Sequence, residues 1–156
     1  MRSRTNTPLL VALWAVSIGW LAFLIGMSSQ NGQETAQTSV RVARLVMWLL
    51  GIAPAKLAPV NQALRTLAHF GCFFILGGAV CAAVQVTWPN RPHSATAVAA
   101  LCSMIAVLDE VKKVFISGRH LSWPEAGLNV LGVLCGVALL QGIRWLAARG
   151  KASRGA

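Results

Sequence analysis

Apolar stretches long enough to cross a membrane alternate with short polar segments along the chain. The first covers about residues 8–27 and carries no charged side chain. Three further stretches, with charged side chains in their end turns, cover about residues 62–88, 94–115 and 124–148. About 20 predominantly apolar residues suffice for a helix to cross the hydrocarbon core of a bilayer. The pattern predicts an all-α membrane protein with four transmembrane helices, forming a single domain over residues 1–156.

The first apolar stretch has features of both a signal peptide and a membrane anchor. Arg2 and Arg4 precede it, as basic residues precede the apolar core of a secretory signal. The stretch is longer than such a core usually is, and no clean A-x-A cleavage site follows it. We therefore expect an uncleaved transmembrane helix.

The connection between the first and second stretches has two parts. Residues 28–39 are polar, whereas residues 40–52 form an apolar segment that carries Arg41 and Arg44. A segment this short with two arginines cannot cross the bilayer. Basic and apolar side chains on one short helix are typical of a helix that lies on the membrane surface. The sequence therefore predicts an interfacial amphipathic helix over residues 40–52.

The charge of the chain is strongly basic, with 14 Lys and Arg residues against four Asp and Glu residues. The cations collect at the ends of the apolar stretches rather than along a soluble element, which favours membrane lipids with anionic headgroups over nucleic acid as partners. The four cysteines form no CxxC pair and lie within apolar segments. We expect buried thiols, with no metal site, disulfide framework or cofactor.

Alternating helix directions bring the polar side chains to one face of the membrane. The end of the first span, the start of the second, the end of the third and the start of the fourth share that face, whichever way the protein is oriented. All four acidic residues fall there, and Glu34 has the features of an ordinary loop acid. The candidate ligand-binding residues on this face are Gln30, Arg65, His69, Asp109, Glu110, Arg119, Glu125 and Asn129.

Helical spacing places polar and small residues on one face of the fourth span. Glu125, Asn129, Gly132 and Gly136 recur at intervals of three and four residues. Two glycines four residues apart allow another helix to approach closely, so Gly132 and Gly136 are candidate helix-packing residues. Their neighbours on the same face would then point into the helix bundle, which predicts a small polar cavity at the membrane surface.

The charged end of the third span allows two interpretations. Asp109 and Lys113 are four residues apart, the spacing of a solvated salt bridge on a helix. Lys112 and Lys113 could also extend to the membrane surface along their aliphatic stems. Short carboxylates such as Asp109 and Glu110 cannot reach as far, and Arg119 offers them a partner.

Three functional classes remain open from these residues. The first is a binding or shielding protein whose cavity holds a lipid headgroup, a lipid-linked wall precursor or an amphiphilic antibiotic. The second is a lipid-phosphate hydrolase, in which Asp109, Glu110 or His69 supplies acid–base catalysis and Arg65 and Arg119 hold the phosphate. The third, ranked last, is an ion-coupled transporter. No nucleophile triad, metal motif or phosphate-binding glycine loop supports catalysis, so binding ranks first.

Four ordered segments carry a resemblance to a known family. They are SSQNG at residues 28–32, RTLAHF at 65–70, the DE and GR pairs within 109–119, and the segment from Glu125 to NVLG at 129–132. Together they resemble the VanZ-like proteins, small multi-span proteins of the bacterial envelope named after a member that gives low-level teicoplanin resistance. The resemblance implies a membrane fold, an envelope setting and a link to antibiotic resistance, but no reaction.

The chain also departs from the family pattern at a few positions. Lys113 stands where members usually carry Gln, and Glu125 replaces the usual Asp with the same charge. Cys72 and Phe73 stand where a polar residue and a Tyr often follow the histidine. The departures imply a cavity whose polarity differs from that of other members.

The orientation is predicted from the basic residues at the ends of the spans. The two faces carry similar numbers of cations, but those at the termini directly flank charge-free spans, which favours cytoplasmic N- and C-termini. We therefore expect a multi-pass protein of the bacterial inner membrane whose polar site faces outward.

Overall fold

The chain is an all-helical bundle in the computed structural model, which describes residues 7–89 and 91–152 and the side chains up to residue 150. Arg2, Arg4, Asn90 and Arg154, and the side chain of Lys151, lie outside this part. Five α-helices are described: α1 (Thr7–Ser28), α2 (Gly32–Leu50), α3 (Leu57–Thr87), α4 (Ser94–Lys112) and α5 (Trp123–Ala152). Short 3-10 turns at Pro54–Lys56 and Lys113–Phe115 precede α3 and extend α4.

Four of these helices are long and apolar enough to cross a membrane, which confirms the predicted fold class. They are α1, α3 with its preceding turn, α4 with its following turn, and α5. The main differences lie at helix ends. The second span begins at the turn Pro54–Lys56 instead of near residue 62, and α5 continues to Ala152, past residue 148. The added residues include Lys56 and Asn61 before the second span and Arg149 after the fourth, which interrupt the apolar pattern.

Helix α2 begins eight residues earlier than the amphipathic pattern predicted. The side-chain oxygen of Asn31 accepts a hydrogen bond from Glu34 N at 2.8 Å, and Glu34 Oε2 accepts one from Asn31 N at 3.2 Å. This reciprocal capping box satisfies two backbone donors at the helix start. Glu34 is therefore a capping residue, and the polar segment that was predicted as a connection is helical. The helix ends at Gly51, whose positive φ of 65° suits glycine.

The close approach of α3 and α5 is the main packing contact of the bundle. A β-carbon added at Gly132 would collide with the carbonyl oxygen of Phe70, and one at Gly136 with that of Phe74. From the other side, a β-carbon at Gly77 would lie 2.6 Å from the carbonyl oxygen of Val133. The two helices run in the same direction, and their backbones touch because one residue of each contacting pair is a glycine.

Hydrogen bonds from two tryptophan side chains hold α1 against α3, and the two helices are antiparallel. Trp14 Nε1 donates a hydrogen bond to Thr87 Oγ1 at 3.0 Å, and Trp20 Nε1 donates one to the Cys72 carbonyl oxygen at 2.8 Å. An indole N–H within an apolar bundle needs such a partner. These contacts bring the C-terminal end of α1 to the membrane face where α3 and α5 begin.

A second polar cluster joins α3 to α5 at the opposite end of the bundle. Arg144 donates a hydrogen bond to Gln85 Oε1, and Gln85 Nε2 donates to Gln141 Oε1. Gln85 is buried, so these bonds satisfy an amide that would otherwise be costly in an apolar interior. The apolar pattern alone marks Arg144 only as a cation near the end of the fourth span.

The glycine contact leads to a first prediction. We expect Gly132→Ala to lower the free energy of unfolding by about 1–3 kcal/mol, because the added methyl group forces α3 and α5 apart. Thermal or denaturant unfolding of the purified protein in detergent would measure the change. Gly142→Ala is the matched control, since a β-carbon at that position of α5 meets nothing within 4 Å. Equal losses in both variants would contradict the packing role of Gly132.

Candidate functional site

Charged side chains from α3, α4 and α5 meet in one ionic cluster near a single end of the bundle. The cluster consists of Arg65, His69, Glu110, Lys113 and Glu125. Its members come from the start of α3, the end of α4 with its 3-10 turn, and the start of α5. This is the face on which alternating helix directions had placed them.

Glu125 is the acidic residue with the most cationic neighbours. Its Oε2 accepts a hydrogen bond from Lys113 Nζ at 2.8 Å and lies 3.2 Å from His69 Nε2. Its Oε1 lies 3.6 Å from Arg65 Nη2. Because its side chain is 23% exposed while Lys113 is nearly buried, Glu125 links the interior of the cluster to its surface.

Glu110 and Lys113 form a buried ion pair beneath Glu125. Lys113 Nζ lies 2.6 Å from Glu110 Oε2, a short contact without the alignment of a hydrogen bond, and the Glu110 side chain is 0% exposed. The other oxygen of Glu110 accepts a hydrogen bond from the backbone N–H of Ser122 at 3.1 Å. A buried carboxylate needs such compensation, because an unpaired charge in an apolar interior is very costly.

The predicted pair of Asp109 and Lys113 is not formed. Asp109 Oδ1 instead lies 3.4 Å from Lys112 Nζ, and Lys113 turns inward to Glu110 and Glu125. The α-helix ends at Lys112 and tightens into a 3-10 turn, in which residues three apart lie above one another. Lys113 therefore stacks over Glu110, and the idea that it extends to the membrane surface is wrong.

His69 is held by both nitrogens of its ring. Nδ1 lies 3.1 Å from Asn129 Oδ1, and Nε2 lies 3.2 Å from Glu125 Oε2. A carboxylate accepts hydrogen bonds, so the ring donates through Nε2 to Glu125, while Nδ1 faces the side-chain amide of Asn129. Asn129 is fully buried, and its Nδ2 has no partner among the described residues.

The remaining candidate residues lie beside the ionic cluster. Arg119 Nη1 donates a hydrogen bond to the Ser28 carbonyl oxygen at 2.6 Å, and no carboxylate of the described residues lies within ion-pair distance of Arg119. Gln30 contacts Met27 Sδ at 3.8 Å and neither bonds to a member of the cluster nor lines the cleft beside it.

A cleft of about 300 Å³ lies next to the ionic cluster, between α1, α2, α3 and α4. Its polar side chains include Arg65, His69, Asp109 and Arg119. Its apolar end is lined by side chains one to two turns deeper in α1 and α3, namely Phe23, Leu24, Cys72 and Phe73. Glu110 and Glu125 do not line it. The cleft is thus polar near the membrane face and apolar towards the bundle interior.

The balance of charge around the cluster and cleft is positive. The four cations Arg65, Lys112, Lys113 and Arg119 face three acids, Asp109, Glu110 and Glu125, which leaves one positive charge before His69 is counted. This surplus favours an anionic group in the cleft, and guanidinium groups are suited to bind phosphate or carboxylate.

Three side chains of the cluster have the spacing of metal ligands. Atoms of His69, Glu110 and Glu125 lie within 4.8 Å of one another. Lys113 Nζ contacts both carboxylates, so its ammonium group already supplies the positive charge that a cation would bring. A metal ion at this position would have to displace Lys113.

The bundle and its polar face define a class: a small multi-span helical membrane protein with an ionic cluster near one membrane surface. A model of the VanZ/LLP1 family matches residues 13–145, and the chain belongs to this family. No curated protein and no solved structure that was compared matches the chain. The family match confirms the resemblance that the four ordered segments had indicated.

Sequence reasoning missed the central role of Lys113. The available signal was the position of two lysines after two acids, with Lys113 three residues beyond Glu110. Which lysine turns inward depends on the switch from α-helix to 3-10 turn, and the apolar pattern carries no sign of that switch.

The buried ion pair leads to a second prediction. We expect Lys113→Met to lower the free energy of unfolding by about 3–5 kcal/mol, because it leaves the fully buried Glu110 carboxylate without its cation. Lys112→Met is the matched control and should change stability by less than about 1 kcal/mol, since Lys112 is partly exposed. Unfolding in detergent would measure both. If Glu110→Gln restored no stability to the Lys113→Met protein, the lost ion pair would not be the cause.

Proposed function

We propose that this protein binds a membrane amphiphile with an anionic head. The observation that carries the proposal is the graded chemistry of the cleft, with arginines near the membrane face and phenylalanines deeper in the bundle. The polarity of an amphiphile in a bilayer changes in the same way, from a charged head at the membrane surface to an apolar tail in the interior. A lipid phosphate, a lipid-linked wall precursor and an amphiphilic glycopeptide antibiotic all have this form.

Arg119 is the principal candidate for contact with the anionic head. Its guanidinium is anchored to the Ser28 carbonyl oxygen and has no acidic partner among the described residues. About a third of the Arg65 side chain is exposed, and its pair with Glu125 is long, at 3.6 Å. Two guanidinium groups with spare donors can bind an oxyanion through several charge-assisted hydrogen bonds.

Binding is favoured over phosphate hydrolysis by the state of the acid–base candidates. Glu110 and Glu125 contact Lys113 and do not line the cleft. His69 lines it, but both ring nitrogens are engaged with Asn129 and Glu125. Asp109 lines the cleft and keeps a free acceptor, as a general base needs, but the sequence offers no nucleophile triad, metal motif or phosphate-binding loop to act with it. The arrangement supports holding an anion more than attacking one.

Helix α2 is proposed to lie at the membrane surface beside the cleft. It carries the exposed apolar side chains Leu45, Trp48 and Leu49 together with Arg41 and Arg44. These two arginines have no carboxylate within ion-pair distance among the described residues. Apolar insertion combined with unpaired cations suits a surface of anionic lipid.

The binding proposal gives a third prediction. In nanodiscs of phosphatidylcholine, we expect dodecyl phosphate to bind the wild-type protein and Arg119→Gln to weaken that binding about tenfold to a hundredfold, the effect of losing one charge-assisted hydrogen bond or two. Titration calorimetry would give the affinities. Arg91→Gln removes an exposed cation from the loop at the other end of the bundle and should leave the affinity unchanged. Equal affinities for Arg119→Gln and wild type would contradict the proposed head contact.

The proposed location is the bacterial inner membrane, with both termini in the cytoplasm and the cleft open to the outer leaflet. The support is the tendency of basic residues to remain in the cytoplasm, here Arg144 and Arg149 near the end of α5. This orientation would let the cleft meet envelope lipids and external antibiotics.

The orientation is the subject of a fourth prediction. We expect a C-terminal fusion to a reporter that is active only in the cytoplasm to be active, and a fusion to a periplasm-dependent phosphatase to be inactive. The reverse result would place the cleft at the cytoplasmic surface and would remove external antibiotics from the possible ligands.

A further inference from the structure

Asp109 differs from the other acids of the site in its position and in its partner. It lines the cleft together with Arg65 and Arg119, whereas Glu110 and Glu125 do not. Its contact with Lys112, at 3.4 Å, is longer than the contacts of 2.6 and 2.8 Å that Lys113 makes with the two glutamates. The negative charge of Asp109 is therefore the one least neutralised by a close cation.

Lys112 divides its ammonium group among several acceptors. Besides Asp109, its Nζ lies 3.2 Å from Ser29 Oγ and 3.4 Å from the Ile25 carbonyl oxygen. About a third of the Lys112 side chain is exposed, so solvent weakens the ion pair further. Asp109 thus keeps the capacity to accept a hydrogen bond from a group inside the cleft.

The cleft consequently presents both signs of charge to a ligand. A purely anionic head would gain from Arg65 and Arg119 but would be repelled by Asp109, and like charges in a partly desolvated site are costly. A head that also carries a positively charged hydrogen-bond donor would satisfy all three side chains.

On the basis of the proposed function, we infer that the cleft selects a zwitterionic head with a phosphate and a primary ammonium group. Arg119 and Arg65 would bind the phosphate, and Asp109 would accept a hydrogen bond from the ammonium. The chemical class is a phosphoethanolamine-type amphiphile.

A quaternary ammonium group is a poorer match for this cleft. It has no N–H to donate to Asp109, and its recognition usually depends on a cage of aromatic rings. The aromatic side chains that line the cleft are Phe23 and Phe73, both towards its apolar end. The polar end offers the Asp109 carboxylate instead, which favours a primary ammonium group with N–H donors over a bulky quaternary ammonium group.

Four amphiphiles with the same dodecyl chain separate these possibilities. In phosphatidylcholine nanodiscs, dodecylphosphoethanolamine should bind the wild-type protein about tenfold more tightly than dodecylphosphocholine, the effect of one charge-assisted hydrogen bond. It should also bind more tightly than dodecylphosphoglycerol, whose donors are uncharged. Dodecyl phosphate, which has no ammonium group, reports the arginine contacts together with the repulsion by Asp109. Equal binding of the ethanolamine and choline heads, or tighter binding of the glycerol head, would overturn the inference.

Single substitutions test whether Asp109 causes the preference for the ethanolamine head over the choline head. We expect Asp109→Asn to abolish the preference for ethanolamine over choline while dodecyl phosphate binds at least as tightly as before, because the repulsion is removed. Glu34→Gln is the matched control, since it removes an acid near the same face but lies in the capping box of α2 and outside the cleft lining. Lys112→Met should strengthen the preference. Survival of the preference in Asp109→Asn would show that another group binds the ammonium.

The same binding measurements distinguish an error in the proposed function from an error in this inference. If none of the four amphiphiles bound, both would be wrong. If dodecyl phosphate bound in an Arg119-dependent way and the zwitterionic heads showed no order, the anionic-amphiphile function would stand and the selection by Asp109 would be wrong.

Discussion

The buried ammonium of Lys113 is the interaction on which the rest of the site depends. It contacts Glu110 on its own helix and Glu125 on α5, and Glu125 in turn contacts Arg65 and His69 on α3. One cation therefore links α4 to α3 and α5, the two helices that the glycine contacts bring close together. Since removal of either partner of a buried ion pair leaves an uncompensated charge, the cluster also fixes how these helices are positioned.

The acids of the polar face have separate tasks. Glu34 caps α2, Glu110 and Glu125 hold Lys113, and Asp109 lines the cleft. The alternating helix directions explain why these acids share one membrane face. Their different roles follow from the angular position of each residue on its helix. This separation leaves a stable ionic interior beside a cleft in which one acid and two arginines have capacity for a ligand.

Much of the fold could be predicted from the sequence because it follows from physical constraints on length and direction. The four spans follow from the length of apolar stretches, and the shared face of Arg65, Glu110 and Glu125 follows from connectivity alone. The inward turn of Lys113 and the cluster around Gln85 could not be predicted, because both depend on side-chain rotation within helices. The early start of α2 was marked by Asn31 and Glu34, a local capping pattern that an apolar pattern does not contain.

The parallel packing of α3 and α5 has a consequence for the biogenesis of the protein. His69 and Asn129 are 60 residues apart, and Gln85 and Arg144 are 59 residues apart, with the whole of α4 between them. α3 therefore precedes its partner α5 in synthesis, and its glycine face and buried polar groups are covered only when α5 packs against them. The Glu110–Lys113 pair lies within α4 and its 3-10 turn, but every contact of Glu125 needs α5, so the packing of α5 against α3 completes the ionic cluster.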